Sequence, residues 1–376
     1  MSPERELDYK RMRRALELAR SARPSPNPPV GAVIVSKAGD IVAEAFHAEA
    51  GAEHAEVLAL GRAGDAARLG TLYVSLEPCN HEGRTAPCVD AILKAGVRRV
   101  VVGCMDPNPH VTGGGAERLR AAGIEVEFGI GASESRALVA PWAKFITTGS
   151  PYVSLKLALS LDGRIATRTG QSKWVTGPEA RAKVQELRAA HDAVAVGIGT
   201  ALSDDPRLTV RDATLLGSAR PPVRIVFDTK LRLPATARLV ETALAVPTWI
   251  CAGASAPEDA EEALVNAGCT VLRIPMTVEG RVDVAAALAE LGAQGIVSVM
   301  FEGGAELAGT LLAARLADEL HGFIAPKLLG PRGRPGAVDW AGPDTPAEAP
   351  SITSPRWEVC GHDAYVHGRI HFSDRD

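Results

Sequence analysis

A chain of 376 residues with 46% hydrophobic and 23% charged side chains has enough length and apolar content for two hydrophobic cores. A net charge of −4 with only four Tyr and seven Phe argues against a nucleic-acid binder, which needs a basic face and stacking rings. Apolar runs stay short of a membrane span and residues 1–6 are mostly polar or charged, so a membrane partner is not expected and the expected location is cytoplasmic.

Leu7, Ala15, Leu18 and Ala19, with Arg11, Arg13, Arg14 and Glu17 between them, predict an amphipathic first helix. The proline-rich run 25–29 ends it, and residues 30–35 and 41–46 read as paired strands. Alternation follows: helix 53–62, strand 71–76, helix 88–95, strand 99–104, helix 116–122 and strand 125–128. Residues 144–152 break the pattern and read as a connector, which places the domain boundary between a first domain, 1–146, and a second, 150–376. In the second, strands are expected at 152–156, 193–197, 223–228, 248–251, 271–274 and 296–301, with helices at 178–190, 258–267 and 305–314. Both domains are thus α/β layers. The six cysteines, 79, 88, 104, 251, 269 and 360, are not expected to form a disulfide framework in such a chain.

Two of them carry chemistry. His54-Ala55-Glu56, then Pro78-Cys79, then Cys88 supply one imidazole, two thiols and one carboxylate. Zinc deaminases use that set, with His and two Cys on the metal and a Glu that moves protons without binding it. Both His54 and Cys88 fall at helix starts, where unpaired amides and the positive dipole end favour thiolates. A closed structural zinc site is the other reading, and it needs a fourth protein ligand such as His81 or His47. The usual second half of a nucleobase-deaminase signature is Cys-x-x-Cys. Here residues 80–87 separate the thiols, so something extra is built between them.

Asn27-Pro28-Pro29-Val30-Gly31-Ala32, His54-Ala55-Glu56, the run Leu76 to Cys88 and Asp106-Pro107-Asn108-Pro109 together resemble the bifunctional deaminase/reductase family of riboflavin biosynthesis. That resemblance implies a cytidine-deaminase-like three-layer α/β/α domain holding one Zn²⁺ on His54, Cys79 and Cys88, with Glu56 as the proton shuttle. It implies hydrolysis at C2 of a diaminopyrimidinone ribosyl phosphate, releasing ammonia. Asn27, His47, His81, Arg84 and Asn108 fall at positions expected to contact this substrate, and Arg84 offers a permanently charged fork for its phosphate. Two positions depart from the family: Leu58 stands where His is usual, and Ala86 where Pro is usual. Neither supplies a ligand.

The resemblance extends through Tyr152 to Ala166, Ser172 to Gly177, Gly197-Ile198-Gly199-Thr200, Ser203 to Arg211 and Phe301-Glu302-Gly303-Gly304-Ala305. It implies a dihydrofolate-reductase-like domain using NADPH to reduce the ribosyl chain to ribityl. By family correspondence Ala158, Trp174, Thr200, Asp204, Thr229 and Gly304 contact NADPH. Ser172, Arg188, Leu208, Arg211 and Glu302 face the sugar phosphate, with Arg188 and Arg211 expected to carry the phosphate. Lys156 and Glu302 are expected to orient or protonate the ribosyl group. The run 113–115 follows a proline-rich loop rather than a strand and is not expected to bind a nucleotide. Partners are expected to be small phosphorylated pyrimidines, together with a second copy or more of the chain: a homodimer or homotetramer through the reductase domain. A nucleic-acid base deaminase is the rival enzyme, and it lacks the basic stripe, the aromatics and the short Cys-x-x-Cys.

Overall fold

The computed structural model describes residues 2–21, 23–82, 86–109, 114–217, 219–330 and 336–373. It divides into two compact units, Met1–Gly149 and Ser150–Asp376.

The first unit is built on a five-stranded sheet in the order β2-β1-β3-β4-β5. Its strands are β1 (Gly31–Val35), β2 (Ile41–Phe46), β3 (Thr71–Leu76), β4 (Arg99–Cys104) and β5 (Glu125–Phe128). β1 is antiparallel to both neighbours, whereas β3, β4 and β5 run parallel. Parallel strands need helices on both faces, and the chain supplies α1 (Pro3–Arg20), α2 (Ala55–Ala63), α3 (Cys88–Ala95), α4 (Gly115–Ala121) and α5 (Ala132–Thr148). Met12, Ala15 and Leu16 of α1 pack with Val33, Val35, Tyr73 and Val101, which are alternate residues of three strands and therefore one face. α2 packs against β1, β2 and α3. Asp8 anchors α1 to the sheet by taking hydrogen bonds from Tyr73 Oη at 2.5 Å and from Arg99 at 2.9 Å and 3.1 Å.

The helix α5 replaces the connector expected from residue 144 onward. Pro141 lies inside it, and left-handed glycines at 131 and 149 bound it. A proline in mid-helix hides the periodicity, yet this helix is held by Val139 and Trp142, both buried.

At Gly31, a Cβ would lie 2.0 Å from the Ala15 carbonyl oxygen, because α1 crosses β1 with its backbone almost in contact. Gly31→Ala is therefore expected to destabilise the first unit by about 1–3 kcal/mol. The measurement is a urea midpoint with an unchanged slope, and an unshifted midpoint would show that α1 can step aside.

The second unit has a nine-stranded sheet in the order β10-β9-β8-β7-β11-β6-β12-β14-β13. The strands are β6 (Tyr152–Ser160), β7 (Ala193–Gly197), β8 (Val223–Phe227), β9 (Thr248–Gly253), β10 (Thr270–Ile274), β11 (Ser298–Glu302), β12 (Glu319–Ala325), β13 (Ser351–Cys360) and β14 (Asp363–His371). All pairs from β10 to β12 are parallel, and β14 and β13 close the edge as an antiparallel hairpin. The helices are α6 (Pro178–Ala190), α7 (Ile198–Asp204), α8 (Arg238–Glu241), α9 (Glu258–Asn266), α10 (Val284–Ala293) and α11 (Ala305–Ala313). One core joins Val153, Leu155, Phe227, Leu288 and Phe301, and another joins Val194, Val226, Leu239 and Ile250, so the sheet is covered on both faces. Although β11 comes late in the chain, it lies between β7 and β6. That insertion brings residues of distant sequence to one strand end.

Candidate functional site

In the first unit, β3 ends at Leu76 and passes the chain to Glu77-Pro78-Cys79. His54 is the N-cap of α2 and Cys88 the first residue of α3, so two helix starts meet the end of a strand. His54 Nδ1 lies 3.1 Å from Cys88 Sγ and 3.5 Å from Cys79 Sγ, and the Cys88 amide donates to Cys79 Sγ at 3.3 Å. The three ligating atoms fall within 4.8 Å of one another. One imidazole and two thiols at this spacing fit Zn²⁺. Neither histidine named as a fourth ligand joins the cluster: His81 is exposed, and both ring nitrogens of His47 have other partners.

The two thiols are in contact and, while no metal neutralises them, are shifted in opposite directions. Two thiolates in contact repel, so the pair on its own ionises once. The hydrogen bond from Cys88 pulls Cys79 down to about 4 against burial, with help from His54, while Cys79 and burial push Cys88 far up. Glu56 lies in the first turn of α2 and is 3% exposed. Burial pushes its carboxyl up to about 7, with the charge of His54 opposing. A carboxyl poised there takes up and gives back a proton near neutrality.

Beside it, His47 Nδ1 is 3.1 Å from the Glu53 carbonyl oxygen, which can only accept, so Nδ1 carries the hydrogen. Nε2 is then the lone pair, and it receives the Asn27 amide at 2.9 Å. Burial lowers the His47 pKa and keeps the ring neutral. Since the His47 and His54 rings meet edge to face at 5.2 Å, Asn27 and His47 belong to the surroundings of the thiol cluster. Asn108 donates its amide to Asp106 Oδ1 at 2.8 Å in the loop after β4. Arg84 lies outside the described residues, as does residue 113 of the glycine run. Leu58 is half-buried and donates its amide to the His54 carbonyl. Glu77 was not singled out from sequence. Its buried carboxylate takes the amides of Asp106 and Ala116, both at 3.2 Å, and so ties the loop after β4 and the start of α4 to the thiol-bearing loop. Its position next to Pro78-Cys79 was the only available signal.

In the second unit the candidates gather where β8, β7, β11 and β6 end, the place where open α/β sheets bind ligands. Gly197 precedes α7 and Glu302-Gly303-Gly304 precedes α11. Gly303 and Gly304 have φ of 78° and 88°, and a Cβ on Gly304 would meet Thr200 Oγ1 at 3.5 Å. Bare backbone at a helix start beside a hydroxyl fits the pyrophosphate of a dinucleotide. Asp204 ends α7 and accepts from Ser172 Oγ at 3.1 Å and, through its carbonyl, from Lys173 Nζ at 2.8 Å. Thr229 follows β8, with its hydroxyl accepting from the Val282 amide. Trp174 is exposed, and the Arg181 guanidinium sits 4.6 Å from its ring centroid. Ala158 is half-buried on β6.

Lys156, Arg188 and Glu302 form the charged centre. Glu302 and Lys156 are opposite in the β11–β6 register, and Lys156 Nζ lies 3.9 Å from Glu302 Oε2. Arg188 grips the same carboxylate at both oxygens, at 2.6 Å and 3.0 Å, and donates to the Thr209 carbonyl at 2.9 Å. Burial raises the Glu302 pKa, but Arg188 and then Lys156 outweigh it and hold the group below the ordinary range. Burial also lowers the Lys156 pKa, with Glu302 opposing. The expectation that Arg188 carries a phosphate meets a different arrangement, since its fork is spent on Glu302 and it is only 7% exposed. Arg211 is exposed, and its amide donates to Gln185 Oε1. Leu208 is buried in the core with φ of 50°. Asp162, not named as a site residue, takes the amides of Leu329 and Gly330 and holds that loop across the end of β6.

The family described as the cytidine and deoxycytidylate deaminase zinc-binding region matches residues 5–104, and the RibD C-terminal domain family matches 151–366. The chain is 44% identical to riboflavin biosynthesis protein RibD of Escherichia coli, over 95% of this chain and 97% of that one. It is 43% identical to the RibD of Aquifex aeolicus, over 87% and 89%. Among solved structures, Acinetobacter baumannii RibD superposes with a TM-score of 0.84 at 38% identity, covering 98% of this chain and all of that one. A deaminase/reductase from Thermotoga maritima does so with a TM-score of 0.83 at 34% identity, covering 98% of this chain and 100% of that one.

Proposed function

This chain belongs to the RibD family of bifunctional riboflavin-biosynthesis enzymes, and from that premise we propose which of its residues carry each of the two reactions. The enzyme is a zinc-dependent deaminase joined to a dihydrofolate-reductase-like, NADPH-dependent reductase. The deaminase half is assigned to Met1–Gly149 and the reductase half to Ser150–Asp376.

In the first half His54, Cys79 and Cys88 hold the zinc, which when bound acts as a Lewis acid and makes water a usable nucleophile. Glu56 takes a proton from the attacking water as its oxygen adds to C2 of the diaminopyrimidinone. It returns that proton to the C2 amino nitrogen, the C2–N bond breaks, and ammonia leaves a uracil behind. Asn27 and His47 hold the ring's polar edge, Asn108 adds a further contact, and His81 and Arg84 serve the phosphate. The observation that carries this reading is a carboxyl only 3% exposed, in the same helix turn as the ligating imidazole and in hydrogen-bond contact with the Cys88 thiol.

In the second half NADPH supplies hydride to C1′ of the ribosyl group. Gly304, Thr200, Asp204 and Thr229 line its site, with Ala158 and Trp174 at the border. Lys156 Nζ gives a proton to the ribosyl ring oxygen as the ring opens, and Glu302 orients that ammonium. Arg188 positions Glu302, which leaves Arg211 and Ser172 to the sugar phosphate and Leu208 to the loop beneath them. A phosphorylated pyrimidine is thus deaminated first and reduced second, in the cytoplasm; among the described residues no helix is long and apolar enough to cross a membrane. Assembly as a homodimer or homotetramer through the second half fits the edge strand β13, whose Trp357 and Val359 are 64% and 83% exposed.

The test supplies the diaminopyrimidinone ribosyl phosphate with and without NADPH while following ammonia and NADPH oxidation. Ammonia is expected in both cases and NADPH loss only after it. Cofactor oxidation without ammonia would remove the deaminase role from the first half.

A further inference from the structure

Beyond Lys156, on the same face of the sheet, lies a second group of metal-ligating side chains. Glu319 and His321 are two residues apart on β12 and so project to one side. In the antiparallel register His321 stands opposite His367 of β14, which brings their Cβ atoms to within about 4.5–5.5 Å. The ligating atoms of Glu319, His321 and His367 lie within 4.8 Å of one another. His321 Nε2 is 3.6 Å from Glu319 Oε2, and the two imidazole rings are nearly parallel, at 16°, with centroids 5.9 Å apart.

The surroundings suit an ion. Tyr365 Oη lies 2.7 Å from His321 Nδ1, so the outer nitrogen of that ring has a partner and its inner edge faces Glu319. Glu358 Oε1 is 3.5 Å from His367 Nε2 and adds a second carboxylate. Arg369 stands opposite Glu319 in the register but hydrogen-bonds the Tyr152 hydroxyl. The His321 side chain is 6% exposed, whereas those of Glu319 and His367 are 26% and 22% exposed, so the site has a dry floor and an open mouth. Two imidazoles and a carboxylate, without thiolate, favour borderline divalent transition ions over Ca²⁺ and Mg²⁺.

We propose that Glu319, His321 and His367 form a second metal site, for an ion of the Zn²⁺, Co²⁺ or Ni²⁺ class, separate from the Cys79–Cys88 site. The ion ties β14 to β12, and because His321 is also opposite Lys156 in the β12–β6 register, the tie lies one strand from the charged centre. The inference does not depend on which residues carry the two reactions.

The test uses the full chain with its thiolate site filled by zinc, titrated with Co²⁺. Wild type is expected to take up one further equivalent without the thiolate-to-cobalt charge-transfer absorption that a cysteine site would give. That equivalent is expected to raise the thermal midpoint of the second unit by mass action. The double substitution His321→Gln, His367→Gln is expected to lose both effects while its metal-free thermal midpoint and its NADPH-dependent reduction stay intact as a check that the second unit is folded. Glu319→Gln, a milder change, should weaken the added site about tenfold or more. Cys88→Ser should lose the zinc and keep the second equivalent. Equal cobalt uptake by wild type and the double variant, or no uptake by wild type, would overturn the proposal.

Discussion

Glu56→Gln will lower ammonia release by about 10³-fold, the range lost with a positioned general acid–base, while the protein keeps its zinc. The amide has nearly the same shape as the carboxyl, so the first turn of α2 and the neighbouring His54 should stay in place. Only the proton traffic is removed. Reduction of the already deaminated substrate by NADPH should proceed at the wild-type rate, because Lys156, Arg188 and Glu302 belong to the other compact unit. Metal content, ammonia and NADPH oxidation measured on one preparation give the answer. Loss of zinc with the loss of ammonia would mean that Glu56 acts by holding the ligands.

The second large effect is on stability. Arg188→Met will destabilise the second unit by about 3–5 kcal/mol, since it leaves the buried Glu302 carboxylate without its bidentate partner. The sign of the pH dependence changes with it. In the wild type the Glu302 pKa is depressed, so the pair stabilises the fold above the unfolded carboxylate pKa and is lost as pH falls through the folded one. Without Arg188 burial dominates and raises that pKa, so the variant should gain stability relative to wild type on acidification. Denaturant midpoints from pH 4 to pH 8 test this, the window around an ordinary carboxylate. A destabilisation that is the same at every pH would show that Arg188 contributes packing rather than charge. Activity separates two roles as well: a positioning residue lowers kcat for reduction, whereas a phosphate-binding one chiefly raises KM.

Arg188 also marks a limit of reading the chain alone. In Glu186-Leu187-Arg188 it looks like a helix surface charge, and only the arrival of Glu302 on β11 makes it a buried group. The imidazole and thiols are legible because chemistry demands those residue types and helix starts place two of them. Most parallel strands are legible too, because burial on both faces makes them continuous apolar runs. The hairpin β13–β14 is not. β13 is exposed along almost its whole length, so its strand state comes from pairing with β14 and leaves no apolar alternation to find. Glu319 and His321 break up β12 in the same way.

The position of β11 has a consequence for how the enzyme is made. Its neighbours β7 and β6 are complete by residue 197, yet the strand between them is not finished until residue 302. At ordinary elongation speeds those intervening residues take about 5–20 s to emerge from the ribosome. Throughout that interval the centre of the sheet is a gap with two unpaired apolar edges, each a template for the wrong strand. The reductase half can therefore not mature progressively behind the ribosome as the deaminase half can. It must wait for its late central strand.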